Sequence, residues 1–300
     1  MSATATDPAY AAISNINFTG GFPTSADLAP SIVFIVLYAI CTPLLFWRWL
    51  GKSDRTVILI RPTIFLVCRI AMCAIRAYMA KNKYGEGLLI AELVLVSVGY
   101  LFLIDPVVGC FNRQIEYQMS KDERPRWVNR LTWLIRILVI TSIITAVAAS
   151  SLISSALSNP DQLSTVTGLR KASIIIAFAC VVVCAIATIL TSFHFKLDMR
   201  GTIYILALCG CLIVVSVYRV VQTYSSNPSA AVRSRVAFWV LQMLSEFFAF
   251  VLIIAISIPS WFPGEQGRNQ LNGNSIESNN TVELSAQGRS PSGQGRKEYV

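Results

Sequence analysis

Apolar residues gather into seven long runs, each bounded by charged residues or by Pro and Gly: Leu28 to Trp47, Val57 to Ala80, Leu88 to Phe111, Trp133 to Leu157, Ser173 to Phe195, Thr202 to Tyr224, and Val236 to Pro259. A helix of about 20 apolar residues crosses the ~30 Å hydrocarbon core of a bilayer, and each run is of that order. No sustained alternation of apolar and polar positions occurs within them, which disfavours a β-barrel. The pattern predicts an all-α membrane protein with seven transmembrane helices over residues 28–264. Residues 1–27 precede this domain as a tail. Residues 265–300, rich in Gly, Ser, Asn and Gln with almost no large apolar side chain, are expected to be disordered.

Basic residues divide unequally between the two sets of connections. Arg48, Lys52 and Arg55 follow the first run, Arg113, Lys121, Arg124, Arg126 and Arg130 follow the third, and Lys196 and Arg200 follow the fifth. The other connections carry Lys81 and Lys83, Arg170 and Lys171, and Arg233 and Arg235, and the 27 residues before the first run carry no Lys or Arg. Positive residues are retained on the cytosolic side, so the N-terminus is expected outside and the C-terminus in the cytosol. Asn17-Phe18-Thr19 is then a glycosylation sequon on the outer tail, whereas Asn279-Asn280-Thr281 falls on the cytosolic side, where it is expected to go unused. No cleavable signal peptide pattern opens the chain, and the first span is expected to serve as the targeting signal.

Composition agrees with a lipid solvent: 54% of the residues are hydrophobic and only 14% charged. The formal net charge of +9 lies mostly beside membrane ends, where it suits anionic lipid headgroups; no nucleic-acid partner is expected. All eight cysteines lie within or at the ends of runs, which supports neither an extracellular disulfide framework nor a zinc site. In the fifth run Ala177, Cys180, Cys184, Thr188 and Thr191 form a stripe of small side chains at helical spacing, suited to close helix packing. His194 is the single histidine, so multi-histidine metal chemistry is excluded, and the seventh run has no lysine for a retinal Schiff base. Neither a P-loop nor a Gly-x-Ser-x-Gly nucleophile motif occurs. No enzymatic activity, metal or cofactor is expected.

Candidate chemistry rests on ionisable residues inside the runs, because a charge in hydrocarbon costs at least ~2.5–3.5 kcal/mol and needs a partner or water. Arg61, Arg69 and Arg76 fall within roughly 80° of one face of the second helix. The third run offers Glu92 and Asp105, the sixth Arg219 and Gln222, and the seventh Gln242, Ser245 and Glu246 at spacings that share a face. Counting ~1.5 Å per residue from the outer ends puts Arg69 and Glu246 roughly 15 Å deep, near the midplane, and Arg76, Glu92 and Arg219 at roughly 6–8 Å, with Gln242 slightly deeper. Arg69 and Glu246 are therefore expected to form a midplane ion pair. Arg219, Arg76, Glu92, Gln242 and Gln222 are candidate ligand contacts in an outer polar layer, which could equally serve as interhelical pairing. Arg61 and Asp105 are expected simply to reach the cytosolic interface.

The sixth and seventh runs resemble the fungal lipid-translocating exporter family, also called the resistance-to-aminocholesterol family. Its Arg-Ser-x-Phe-Arg-Val-x-Glu stretch is similar to Val215-Ser216-Val217-Tyr218-Arg219-Val220-Val221-Gln222. Its Phe-Tyr-Val-Phe-Asp element is similar to Phe238-Trp239-Val240-Leu241-Gln242, and its closing Pro-Gly to Pro263-Gly264. Arg76 falls where the family has an arginine. Departures occur at Val215, Gln222 and Gln242, and at Arg69, where the family usually has glutamate. The resemblance implies a fungal plasma-membrane or vacuolar protein whose partners are membrane lipids and a sphingoid or sterol-like amphiphile, with a role in lipid translocation or resistance. A seven-helix receptor-like sensor and a non-catalytic structural membrane protein stay open as alternatives. The third run ends Gly109-Cys110-Phe111-Asn112-Arg113 without the Asp/Glu-Arg-Tyr of familiar receptors, and the seventh has no Asn-Pro-x-x-Tyr.

Overall fold

The structure, a computed structural model, describes residues 19–51, 56–119, 124–153, 162–225 and 230–265. The Asn17 sequon and nearly all of the tail expected to be disordered lie outside the described residues. Among the described residues, seven helices are long and apolar enough to cross a membrane: Ser25–Leu50, Val57–Lys81, Glu86–Gln118, Arg126–Ser151, Gln162–Phe195, Met199–Tyr224 and Arg235–Ala255. Several outrun the apolar stretches that announce them. The fifth, at 34 residues, extends about 51 Å at 1.5 Å per residue and so passes beyond the hydrocarbon into the headgroup zone. Backbone hydrogen bonding continues past the edge of the apolar sequence, and this extension carries Arg170 and Lys171 inside a helix rather than in a loop.

Successive spans run antiparallel, as their end contacts record. Arg48, ending the first span, donates to the Ile254 and Ala255 carbonyls (3.3 and 2.9 Å), filling acceptors left open where the seventh span stops. Gln114, near the end of the third span, donates to the Asp198 carbonyl and to Thr202 Oγ1 (3.0 and 3.1 Å) at the start of the sixth. Asp198 caps that helix by accepting from the Arg200 and Gly201 amides. These contacts define one face of the bundle; the other, the N-terminal face, holds Asp27, the end of the second span and the start of the seventh.

Two kinds of packing hold the bundle. Aromatic rings join the first, second and seventh spans: Tyr38 meets Phe65, Phe247 and Phe250 at centroid distances of 5.9, 5.4 and 5.9 Å, and Phe34 stacks on Trp239 at 5.4 Å. Small side chains pack the fourth, fifth and sixth spans. Ala177, Cys180, Cys184, Thr188 and Thr191 are all buried, and Ser142 and Ser173 hydrogen-bond across the fourth and fifth. The third span is the most enclosed, with 56% of its most apolar stretch buried against 22% for the first. Every buried charge described below touches it or the helix beside it.

Candidate functional site

The second span presents Arg69 and Arg76 seven residues apart on its buried face, together with Phe65, Met72 and Cys73. Arg69 is fully enclosed. Its Nη2 stands 2.5 Å from Glu246 Oε2 on the seventh span, and its two Nη groups point at the Leu95 and Val96 carbonyls of the third (3.3 and 3.4 Å). The Phe65 ring lies 5.3 Å beneath the guanidinium. Gly99 makes this approach possible, because a Cβ there would stand 2.9 Å from Arg69 Cζ. The carbonyls are accessible because the third helix is interrupted at Tyr100, whose amide turns to the Val98 carbonyl rather than to Val96. Helix resumes at Leu101, and Pro106, which has no amide to donate, follows within the next turn and a half.

Arg76 is also fully enclosed and holds three elements together. Its Nη1 forms a short ion-paired hydrogen bond with Glu92 Oε1 of the third span, and its Nη2 donates to Asp27 Oδ1 (3.0 Å) and to the Thr19 carbonyl (2.9 Å) in the N-terminal segment. Asp27 in turn accepts from the Trp239 indole (3.2 Å) and the Thr24 amide (3.0 Å), with Arg235 Nε at 3.6 Å. Phe238 and Trp239 lie 5.2 and 5.7 Å from the Arg76 guanidinium carbon. A π-helical stretch over Phe238–Leu244 widens the seventh span here and turns both adjacent rings inward. Gly20 locks the N-terminal segment down: its φ of +81° suits glycine, and a Cβ would come 2.7 Å from the Arg235 backbone.

Arg219 adjoins the Arg69 site rather than the Arg76 cluster. It donates to the Ser97 carbonyl (3.3 Å) and, at short range, to the Val96 carbonyl that Arg69 also approaches, and it lies 4.0 Å from the Tyr100 ring. The outer layer expected to group Arg76, Glu92 and Arg219 is therefore divided: Arg76 meets Glu92, while Arg219 reaches the Val96 carbonyl beside Arg69. Depth along a helix axis says nothing about azimuth around it. Gln222 donates to the Tyr218 hydroxyl (3.1 Å), while Gln242 is buried beside Glu246 one turn away. Arg61 and Asp105 do more than reach an interface: they approach to 3.6 Å, with Arg136 at 3.7 Å from the same carboxylate, all partly solvated.

Beside Arg219 opens a cleft between the third, fourth, fifth and sixth spans, lined by Ser97, Ala146, Arg170, Ser173, Ile174, Gln222 and Thr223. Its enclosed part measures ≈ 10 Å³, the room for one water or one ligand oxygen. Two residues that matter here, Asp27 and Arg170, were not among the candidates from sequence. Asp27 sits immediately before an apolar run, where a charge ordinarily meets water, and Arg170 precedes the run that marks the fifth span. Their one sequence signal is depth: Asp27 lies level with Arg76, and Arg170 level with Arg219.

Seven such helices around an ionic interior define an integral membrane protein. The chain belongs to the family described as a domain of unknown function, DUF7702, whose match over residues 28–259 spans all seven helices. No curated protein and no solved structure matches it.

Proposed function

We propose that this protein handles an amphiphile in the membrane, as a lipid translocator or resistance factor like the exporters its sixth and seventh spans resemble. The observation that carries this reading is the cleft beside Arg219, which joins guanidinium, amide and hydroxyl groups to the apolar Ala146 and Ile174. Arg219 lies five residues from the end of the sixth span, roughly 7.5 Å along its axis, at the depth where a headgroup meets hydrocarbon. Polar groups at that level suit a molecule with a charged head and an apolar body. The membrane would be a fungal plasma membrane, with the vacuole or another internal membrane as the alternative. The test compares growth on toxic amphiphiles and fluorescent-lipid efflux in deletion cells carrying wild type, Arg219→Ala or Arg219→Lys at equal surface expression. Loss of both readouts on deletion and in Arg219→Ala is the expected result; a deletion without effect on either sinks the proposal.

A sensor is the second reading. Arg76 ties the N-terminal segment directly to the third span, so a contact made outside could be relayed to the core. Unchanged efflux on deletion, together with an altered transcriptional response to the same compounds, would favour it.

Both readings use the orientation that loop charge implies, with the N-terminus outside. A C-terminal tag is expected to label only after permeabilisation, and an N-terminal tag in intact cells. Labelling of the C-terminal tag in intact cells would reverse the orientation.

A further inference from the structure

We infer that Arg61 and Arg136 form a binding site for the phosphate of an anionic phospholipid, in the leaflet on the side opposite the N-terminal face of the bundle. This goes beyond the amphiphile reading, because the site lies at the other end of the spans from the cleft beside Arg219 and requires no molecule to be moved. Three helices build it. Asp105 of the third span stands between Arg61 of the second and Arg136 of the fourth, with Arg61 Nε 3.6 Å from Oδ2 and Arg136 Nε 3.7 Å from Oδ1. Both separations exceed hydrogen-bond length, and neither guanidinium donates a hydrogen bond to a described residue. The Nη groups of both arginines are therefore left for another acceptor. Asp105 is also the one described carboxylate within ion-pair reach of either, so the trio carries one surplus positive charge. A phosphodiester supplies the missing negative charge and two free oxygens for guanidinium donors.

Depth and the direction of exposure say what that acceptor is. Arg61 stands four residues after Val57, where the second span begins, and Arg136 three residues after Trp133, where the apolar run of the fourth begins. Each backbone attachment point is thus roughly 5 Å inside the hydrocarbon edge, from which an arginine reaches outward to the headgroups. Donors left unmade at that level are costly. The Arg136 side chain keeps 50% exposure, and Trp133 and Ile140, on the same helix face, are exposed with it. Ile60, Ile64 and Val67 are exposed around Arg61. In an integral membrane protein such side chains face acyl chains, and Trp133, one turn from Arg136, is of the type that marks the headgroup boundary. Phe102, 5.8 Å from the Arg61 guanidinium carbon, belongs to the third span and leaves the lipid side open. Arg126 and Arg130, exposed on the first turns of the fourth span, disfavour a headgroup with its own ammonium. An inositol or glycerol head fits instead.

The test titrates the full chain, stripped of lipid in detergent, with phosphatidylinositol or phosphatidylcholine. Retained lipid is read by native mass spectrometry and stabilisation by thermal unfolding. Phosphatidylinositol is expected to be retained selectively and to raise the unfolding temperature. Arg61→Gln and Arg136→Gln should each weaken its binding about tenfold, and the double variant should no longer distinguish the two lipids. Arg130→Gln, which removes the same charge six residues away on the same helix, should bind within about twofold of wild type. Folding of each variant is established by its unfolding temperature without added lipid. Arg136→Lys keeps the charge beside Asp105 and serves if neutralisation unfolds the chain; it should bind a few-fold more weakly than wild type. Wild-type binding in Arg61→Gln and Arg136→Gln would leave both guanidiniums to water and overturn the site. An equal loss in Arg130→Gln would reduce it to diffuse attraction, and equal retention of the two lipids would remove the charge argument; either overturns it too. Inorganic phosphate should leave the unfolding temperature unchanged, and stabilisation by it equal to that by phosphatidylinositol would overturn the lipid as ligand. None of these results bears on the Arg219 cleft, whose reading falls or stands on the deletion phenotype.

Discussion

Arg76→Met is expected to lower the apparent unfolding temperature of the detergent-extracted protein by roughly 10 °C or more, from a loss of about 3–5 kcal/mol. The substitution keeps an unbranched apolar stem but removes the one cation shared by Asp27, Glu92 and the Thr19 carbonyl. Both carboxylates are fully enclosed, so neither can turn to water. Arg235, at 3.6 Å from Asp27 and partly exposed, leaves Glu92 uncompensated. Arg76→Lys should recover only part of the loss, because one ammonium cannot face three acceptors in the guanidinium's planar arrangement. The comparison is Arg61→Met. Its pair with Asp105 is also an arginine and a carboxylate between the second and third spans, but its side chains keep 33% and 24% exposure. A solvated pair of that kind contributes about 0–1 kcal/mol. Equal effects of the two substitutions, measured by scanning fluorimetry, would mean that burial of the Arg76 cluster is not what makes it matter.

What the sequence disclosed and what it hid divide along physical lines. Seven spans were legible because a bilayer demands a long apolar run for each crossing, and seven such helices lie among the described residues. Opposite charges at matching depth found Arg69 opposite Glu246 and Arg76 opposite Glu92, since axial rise is fixed at ~1.5 Å per residue. Arg219 was grouped with Arg76 and Glu92 because axial counting fixes a residue's level but not the neighbour its side chain reaches, here the Val96 carbonyl beside Arg69. Its actual partners, the Val96 and Ser97 carbonyls, are backbone groups released by the interruption at Tyr100. Backbone acceptors have no letter in a sequence. The π-helical stretch at Phe238–Leu244 was equally hidden: Phe-Trp-Val-Leu-Gln-Met-Leu contains neither Gly nor Pro to mark it. Asp27 and Arg170 were hidden by the boundary problem, each falling just outside an apolar run yet inside the folded polar interior.

The pairing of Arg69 with Glu246 is open to a double-mutant cycle, and non-additivity is the expected outcome. Arg69→Met alone leaves Glu246 enclosed without its 2.5 Å partner, and Glu246→Gln alone leaves Arg69 with only the more distant Leu95 and Val96 carbonyls. Each single change should be strongly destabilising, by about 3 kcal/mol or more, because the survivor is a buried charge. With both changed, no orphan charge remains, and methionine beside glutamine amide costs far less than either single loss. The double variant should therefore unfold no lower than the worse single one, with a coupling of about 1–3 kcal/mol. Arg219→Met combined with Glu246→Gln sets the reference, since Arg219 is anchored on backbone carbonyls and should couple to Glu246 more weakly. Gly99 gives an independent handle on the same geometry. Filling its face with a Cβ that would stand 2.9 Å from Arg69 Cζ pushes the guanidinium off the third span. Gly99→Ala should consequently destabilise the wild type more than it destabilises Arg69→Met, where the smaller side chain leaves room. Additive losses in the cycle, with Gly99→Ala indifferent to residue 69, would mean that the two charges do not meet at the midplane.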